Sequence, residues 1–209
     1  MSLFVKLCGI RTAADLEAAA DAGADAVGFV LTSSPRQVSV AEAAMLMEMV
    51  PDGMLGVAVF HDPSADLIRQ TAEMVAPDLF QAEAGRLTAL APDRTLPVVV
   101  ADGGLEGGLE RALAVTNRDM VLVDSAAQGG TGRVADWDLL GSLQAHDRLI
   151  LAGGLDPGNV AEAVARVRPL GVDVSSGVEV RPGEKDHELM RAFVEVARRE
   201  LDKTERVAR

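Results

Sequence analysis

The sequence is poor in cysteine and in basic residues. A single cysteine among 209 residues excludes an intramolecular disulfide framework and a zinc site built from several cysteines. Lysine and arginine total 20 against 32 aspartates and glutamates, which gives a formal net charge of −12. Because a nucleic-acid backbone binds to a basic surface, this charge predicts that nucleic acid is not a partner. A small phosphorylated substrate needs only a local group of amide or cationic donors, so the charge does not argue against one.

The sequence also lacks a long hydrophobic segment. Its longest nearly uninterrupted apolar run is Met54–Phe60, whereas a membrane helix needs about 20 residues. Residues 1–9 show no basic segment followed by a long apolar stretch, so no secretory signal is visible. No linker or low-complexity segment interrupts the chain. These absences predict a cytoplasmic protein without a membrane partner, folded as a single domain over residues 1–209 with a frayed polar tail at 203–209.

Short apolar segments alternate with longer segments of helical periodicity along the chain. Apolar residues recur at helical spacing in Ala13–Ala22 and again from Leu189 to Leu201. Most of the short segments lack polar alternation, which is typical of strands buried on both faces of a parallel sheet. The predicted strands are Leu3–Cys8, Ala26–Leu31, Leu55–Phe60, Asp78–Ala82, Leu96–Ala101, Met120–Asp124, Leu149–Ala152 and Gly171–Ser175.

Eight strand–helix units of similar length predict an α/β protein, a single (β/α)8 barrel. The predicted strand ends lie about 20 to 30 residues apart, as in such barrels. A doubly wound open sheet shares the alternation and is the structural alternative, but near-equal units without a longer crossover favour closure. Helix starts are marked by Thr12 and Ser39, each three residues before a carboxylate, and by Asp62 and Asp156, each before a proline.

Two glycine- and serine-rich loops are candidates for a phosphate site. Active sites of (β/α)8 barrels lie at the carboxyl ends of the strands, and the loops after the seventh and eighth strands often bind phosphate. Glycine lets backbone amides approach the anion, and serine hydroxyls add donors. Tight packing turns are the alternative for either loop alone, whereas the two loops together favour phosphate. The residues are Gly153 and Gly154 after the seventh strand, and Ser175, Ser176 and Gly177 after the eighth.

Two other residues at predicted strand ends are candidates for acid–base chemistry. Cys8 ends the first strand, where the nearby Lys6 and Arg11 would favour a thiolate. The ordinary alternative for a free cysteine is a small buried hydrophobe. Asp124 ends the sixth strand, and the long segment before Trp137 argues against its being a helix cap. A thiolate and a carboxylic acid on opposite sides of one pocket would suit proton transfer from carbon and to oxygen.

Five blocks of the sequence resemble the phosphoribosylanthranilate isomerases. They occur in order from residue 6 to residue 186, so the resemblance covers nearly the whole chain. Their combination is far more specific than any single block. The blocks are KLCGIRT at 6–12, GFVL and SSPR within 28–36, LVDS and GGTG within 122–132, LAGGLDPGNV at 151–160, and GVDVSSGVE with PGEKD within 171–186.

The resemblance implies an aldose–ketose isomerase of tryptophan biosynthesis that needs neither metal nor coenzyme. Its substrate would be N-(5-phosphoribosyl)anthranilate, rearranged by Amadori chemistry, with Cys8 as general base and Asp124 as general acid. Arg36 would bind the anthranilate carboxylate as a guanidinium fork. The expected partner is this small phosphorylated substrate, and the protein would be a monomer or a weak homodimer. The implied phosphate ligands are Gly153, Gly154, Ser175, Ser176 and Gly177.

One segment departs from the family pattern. The family usually carries Gln-Leu-His-Gly after the fourth strand, where this chain has Glu83 in place of the histidine, and His61-Asp62 stands where Val-Asn is frequent. A carboxylate close to a phosphate or a benzoate is electrostatically unfavourable. The alternatives are a histidine-pathway or dual-substrate aminoaldose isomerase, and a barrel that binds a sugar phosphate without turnover. The histidine-pathway enzymes usually have an aspartate at the position of Cys8.

Overall fold

Eight parallel strands form a closed barrel in the computed structural model, with neighbours in chain order. The structure describes residues 4–87, 90, 92–100, 105–116, 120–124, 137–143 and 146–207. Closure comes from pairing of the first strand with the eighth, where Phe4 lies opposite Gly171 and Leu7 opposite Val174. The predicted (β/α)8 barrel is therefore confirmed, and the open sheet is excluded. The strands are β1 (Phe4–Cys8), β2 (Ala26–Val30), β3 (Leu55–Val59), β4 (Leu79–Glu83), β5 (Thr95–Val100), β6 (Val121–Asp124), β7 (Leu149–Ala152) and β8 (Gly171–Val174).

Helices surround the barrel, and a short antiparallel hairpin follows β8. The last helix extends to Val207, into the segment for which the sequence predicts a frayed tail. No helix in the described ranges is long and apolar enough to cross a membrane. The helices are α1 (Ala13–Asp21), α2 (Val40–Met47), α3 (Ala65–Met74), α4 (Leu105–Leu113), α5 (Trp137–Ser142), α6 (Val160–Val167) and α7 (His187–Val207), and the hairpin strands are β9 (Glu179–Arg181) and β10 (Glu184–Lys185).

Apolar side chains form two layers of core. The larger cluster joins outward-facing strand residues such as Val27 and Phe29 to helix residues such as Leu16 and Phe193. The smaller cluster fills the inside of the barrel, because an eight-stranded barrel is just wide enough to be closed by its own side chains. Its buried members are Ala26, Val57, Leu79, Leu96, Met120, Leu122, Ile150 and Ala152.

At two of the predicted helix starts, the N-cap is the threonine or serine that the sequence predicts. The Thr12 hydroxyl accepts a hydrogen bond from the amide of Asp15 at the start of α1. Ser39 and Glu42 form a complete capping box at the start of α2. The carboxylate of Asp15 is not part of such a box, because it contacts Nε2 of His187 on α7 at 2.9 Å.

The predicted caps at Asp62 and Asp156 are wrong. Ser64 caps α3. It directly precedes the first helical residue, and its hydroxyl accepts a hydrogen bond from the amide of Leu67 in the first turn. Asp156 accepts hydrogen bonds from the amides of Gly158 and Asn159 at 2.7 and 3.0 Å. It therefore closes a turn before α6, and the helix begins later, with Asn159 at the cap position.

Candidate functional site

A cavity of about 390 Å³ lies at the carboxyl ends of the strands and is lined from all eight of them. This volume falls in the ordinary range for a small-molecule site. The predicted site residues that line it are Cys8, Arg36, Asp124, Gly153, Gly154, Ser175 and Ser176.

Gly177 is the predicted site residue that does not line the cavity. A Cβ added there would fall 1.9 Å from the carbonyl oxygen of Leu155. Only a glycine lets the loop after β8 pack so closely against the loop after β7. Gly177 thus has a packing role, and its predicted contact with phosphate stays a prediction.

Cys8 and Asp124 lie on different sides of the cavity. Cys8 ends β1 and is 6% exposed, whereas Asp124 ends β6 and is partly exposed. Strands β7 and β8 separate them on the shorter path around the barrel. An acid and a base on these two strands could therefore act on a ligand in the cavity from two directions. The GGTG segment at 129–132 and the rest of residues 125–136 lie outside the described residues.

Burial keeps the Cys8 thiol protonated. Burial raises the pKa of Cys8 above its ordinary value, and the nearby Asp173 carboxylate raises it further, while the Lys6 and Lys185 ammonium groups only partly oppose this. The Lys6 ammonium lowers the pKa of Cys8, as the sequence predicts, but burial has the larger effect. The guanidinium of Arg11 donates to the carbonyl of Gly183 at 3.1 Å, and its predicted effect on the thiol stays a prediction.

A buried ion pair lies beneath Cys8 inside the barrel. Nζ of Lys6, whose side chain is fully buried, lies 2.8 Å from Oδ1 of Asp173 on β8. Burial alone would lower the pKa of Lys6, but the Asp173 carboxylate holds it above its ordinary value. Gly28 provides room for this arrangement, since a Cβ there would lie 2.9 Å from Sγ of Cys8 and 3.2 Å from Nζ of Lys6. The period of two along a strand places Lys6 and Cys8 on one face, which was the available sequence signal.

Arg36 lines the cavity but is already bound to a carboxylate of the protein. Its Nε and Nη2 donate to the two oxygens of Glu179 at 2.7 and 2.8 Å. Gly9 makes room for the arginine, because a Cβ there would fall 2.7 Å from Cδ of Arg36, and its φ of +79° favours glycine. The predicted carboxylate-binding residue therefore presents one edge of its guanidinium to Glu179.

Glu179 also binds Lys185 of the same hairpin. Nζ of Lys185 donates to Oε1 of Glu179 at 2.9 Å and to the carbonyl oxygen of Ser175 at 2.9 Å. Burial would raise the pKa of Glu179, but hydrogen bonds from Arg36 and Lys185 hold it below its ordinary value. Burial lowers the pKa of Lys185 despite this contact. Sequence reasoning missed both residues, although they lie in the matched PGEKD and GVE segments.

The two predicted phosphate loops meet at the edge of the cavity. Gly153 and Gly154 have φ angles of +88° and +68°, in the left-handed region that favours glycine. The Asn159 side chain donates to the carbonyl of Gly154 at 2.9 Å and so fixes the first loop. In the second loop Ser176 begins a short 3-10 turn and is exposed to solvent. Both loops can present amide or hydroxyl donors to an anion.

The opposite side of the cavity contains polar residues without a predicted role. Oε1 of Gln81 is buried and has no hydrogen-bond partner within the described part of the chain. Glu83 ends β4 and lines the cavity with an exposed side chain, as its place in the sequence predicts. The hydroxyl of Thr32 accepts a hydrogen bond from the amide of His61 at 2.9 Å and so links two loops of the rim. These residues surround the part of the cavity that lies farthest from the β7 and β8 loops.

Several known proteins similar to this chain are named as phosphoribosylanthranilate isomerases. The N-(5′-phosphoribosyl)anthranilate isomerase of Rhodopseudomonas palustris is 41% identical, over 95% of this chain and 97% of that protein. A dimeric phosphoribosylanthranilate isomerase of Thermotoga maritima, solved as monomers, matches with a TM-score of 0.77 and 33% identity over 93% of this chain and 98% of that one. A third structure is such an isomerase in complex with reduced 1-(o-carboxyphenylamino)-1-deoxyribulose 5-phosphate. It matches with a TM-score of 0.75 and 33% identity over 93% of this chain and 98% of that one.

The match to the family as a whole covers most of the barrel. The profile of the N-(5′-phosphoribosyl)anthranilate (PRA) isomerase family matches residues 5–196. This range includes every strand from β2 to β8 and each residue of the cavity lining. The chain therefore belongs to the N-(5′-phosphoribosyl)anthranilate isomerase family.

Proposed function

We propose that this protein isomerises N-(5-phosphoribosyl)anthranilate to 1-(2-carboxyphenylamino)-1-deoxyribulose 5-phosphate in tryptophan biosynthesis, without a cofactor. The observation that carries the proposal is the meeting of Cys8, Asp124 and Arg36 in one cavity of a member of this family. Each of the three has a chemical counterpart in that substrate. The family relative with a bound reduced carboxyphenylamino-deoxyribulose phosphate supports the choice of ligand.

The placement of the substrate follows from its two anionic ends. The phosphate would bind the loops after β7 and β8, through donors that include the amide of Gly154 and the groups of Ser176. The anthranilate carboxylate would bind Arg36 through charge-assisted hydrogen bonds. The ribose then lies between Cys8 and Asp124, the two sides from which acid and base must act.

Ring opening is the first chemical step. Asp124, as the acid, donates its proton to the furanose ring oxygen while the bond from that oxygen to C1′ breaks. The electron pair of the anthranilate nitrogen forms a C=N bond with C1′, so the product of this step is a protonated Schiff base and an Asp124 carboxylate. A partly enclosed site favours this transfer, because it strengthens the interaction of the acid with the developing alcohol.

Proton removal from C2′ is the second step. The Cys8 thiolate, which forms when the thiol releases its proton to water, takes this proton. The electrons of the broken C–H bond form a C1′=C2′ double bond while the C=N electron pair moves onto nitrogen, which gives a neutral enolamine. The enol hydroxyl then returns a proton to the Asp124 carboxylate while the Cys8 thiol protonates C1′, which yields the ketone and restores the acid and the base. The positive charge of the Schiff base lowers the pKa of a neighbouring thiol, so ring opening favours the thiolate that burial disfavours in the free protein.

Turnover by the purified protein tests the proposal. We expect conversion of N-(5-phosphoribosyl)anthranilate to the carboxyphenylamino-deoxyribulose phosphate without added metal or coenzyme, and much slower conversion of the aminoaldose phosphate of histidine biosynthesis. Equal rates on the two substrates would instead support a dual-substrate enzyme. Binding of the first substrate without conversion would support a sugar-phosphate-binding barrel and contradict the proposal.

We further infer a cytoplasmic protein that folds as one domain over residues 1–209 and is a monomer or a weak homodimer. The family's role in amino-acid biosynthesis supports the location. The Thermotoga maritima relative is described as dimeric and was also obtained as monomers, which supports a weak dependence on assembly. Sedimentation over a range of concentrations would test the oligomeric state, and a dimer that persists at the lowest concentration would contradict it.

A further inference from the structure

Glu179 connects the two ends of the candidate substrate site. Its Oε1 accepts hydrogen bonds from Nε of Arg36 at 2.7 Å and from Nζ of Lys185 at 2.9 Å, and its Oε2 accepts from Nη2 of Arg36 at 2.8 Å. The side chains of Glu179 and Lys185 are 3% and 1% exposed. Lys185 continues the chain of contacts to the carbonyl of Ser175, at the start of the predicted phosphate loop.

We propose that Glu179 and Lys185 are positioning residues: Glu179 orients Arg36 for the substrate's carboxylate, and Lys185 fixes the β8 loop for the substrate's phosphate. The inference rests on the proposed function, because it assumes that Arg36 and this loop bind those two groups. Neither residue needs to touch the substrate. Each acts through the side chain or the backbone that it holds.

The geometry of the guanidinium supports the role of Glu179. Arginine carries five N–H donors in one plane, and Glu179 uses the edge formed by Nε and Nη2. Nη1 of Arg36 makes no hydrogen bond or ion pair within the described residues, so the edge formed by Nη1 and Nη2 is available to a second carboxylate. A guanidinium already fixed in one plane loses less conformational entropy when it binds that carboxylate.

The hairpin is attached to both parts of the site. A Cβ at Gly183, in the β9–β10 turn, would fall 2.4 Å from the carbonyl oxygen of Pro35, which precedes Arg36. Lys185 attaches the other side of the hairpin to Ser175. The hairpin therefore fixes the relative position of the loop that carries Arg36 and the loop after β8.

An explanation by net charge alone and the orienting role of Glu179 predict opposite effects of a Glu179→Gln substitution on ligand binding. Arg36, Lys185 and Glu179 together carry one net positive charge, and a Glu179→Gln substitution would raise it to two. If this cluster acted only through its net charge, the variant would bind an anionic ligand more tightly. If Glu179 orients Arg36, the variant loses its preference for a ligand that carries the carboxylate. The two explanations therefore differ in sign.

The test compares two ligands that differ by one carboxyl group. They are the reduced carboxyphenylamino-deoxyribulose phosphate and the matching phenylamino compound, whose dissociation constants are measured by calorimetry. We expect Glu179→Gln to lower the wild-type preference for the carboxylated ligand about tenfold, the scale of one charge-assisted hydrogen bond. In turnover, KM should rise more than kcat falls. Lys185→Met should weaken both ligands alike, because it acts at the phosphate end.

Glu184→Gln is the matched control. It removes the same charge from the same hairpin, but Glu184 is half exposed and pairs with Arg181. Its ligand preference should equal that of the wild type. If Glu179→Gln does not fold, Glu179→Gln/Lys185→Met removes both charges of the buried pair and is judged by the same ratio.

Three outcomes would overturn the positioning role. One is a ligand preference in the folded Glu179 variant within twofold of the wild type, and another is tighter binding of both ligands with the preference unchanged. The third is an equal loss of preference in Glu184→Gln. If the wild type itself shows no preference for the carboxylated ligand, the assignment of Arg36 under the proposed function fails first, and the two failures are thereby distinguished.

Discussion

Replacing Lys6 with methionine should raise the pKa of the Cys8 thiol. Sγ of Cys8 and Nζ of Lys6 lie 2.9 and 3.2 Å from the point that a Cβ of Gly28 would occupy. The two atoms are thus within about 6 Å of each other, a separation at which an opposite charge moves a pKa by about 1–3 units. The variant also leaves the Asp173 carboxylate unpaired near the thiol, which acts in the same direction. We therefore expect a higher midpoint for ionisation of the Cys8 thiol.

The assay is the pH dependence of thiol alkylation, or of thiolate ultraviolet absorbance. Cys8 is the only cysteine in the chain, so the signal has one source. Asp173→Asn should shift the midpoint in the opposite direction, because it leaves the Lys6 ammonium uncompensated. Loss of one partner of a buried pair destabilises a protein by about 3–5 kcal/mol. Lys6→Met/Asp173→Asn therefore serves as the neutral control for folding.

An unchanged or lower midpoint in folded Lys6→Met would refute this reasoning. It would mean that the Lys6 ammonium does not act on the sulfur, and that Lys185 or bound substrate alone opposes the effect of burial. Equal shifts of the same sign in Lys6→Met and Asp173→Asn would indicate a packing effect in place of an electrostatic one.

Three further predictions concern the residues assigned to the two anionic ends of the substrate. Arg36→Lys should raise KM with a smaller loss in kcat, since the ammonium cannot replace a planar fork, and unchanged kinetics in both this variant and Arg36→Ala would remove Arg36 from the site. Sulfate or phosphate in a crystal should bind against Gly154 and Ser176, and anions found only elsewhere, with side chains filling this pocket, would contradict the phosphate assignment. The stability that ionised Glu179 contributes should be fully present above pH 4.5, its ordinary pKa, and should be lost as the pH falls below that value. Denaturant unfolding at several pH values should therefore show the difference in unfolding free energy between the wild type and Glu179→Gln shrinking in acid, and a constant difference would refute this.

The barrel could be predicted from the sequence because its signals are local. Apolar segments without alternation mark strands buried on both faces, and the helical segments between them have a different period. Predicted strand ends such as Cys8 and Ala152 agree with the structure to the residue, since a glycine follows each of them directly. Helix starts were harder to predict where two residues could cap. At Asp62 and Ser64 the choice depended on where the first turn begins, which the sequence does not show.

The charge pairs of the site could not be predicted, because they join residues far apart in the chain. Lys6 and Asp173 are separated by 167 residues, and Arg36 and Glu179 by 143. Such pairs depend on closure of the barrel and on the docking of the hairpin. The environment of Cys8 illustrates this. Its sequence neighbour Arg11 is directed elsewhere, while a cation from the distant hairpin contributes to its electrostatics.

The most direct test of the account is kcat for Cys8→Ser and Asp124→Asn on N-(5-phosphoribosyl)anthranilate, with circular dichroism to establish folding. Asp138→Asn is the matched control, because it makes the same change at an exposed site on α5, outside the cavity. The account predicts that each site variant folds and loses about two or more orders of magnitude in kcat, the usual scale for a positioned acid or base. The serine hydroxyl is too weak an acid to replace the thiol, and the amide has no acidic proton to give to the ring oxygen. A folded variant that keeps more than about a tenth of the control's turnover would contradict the role assigned to that residue.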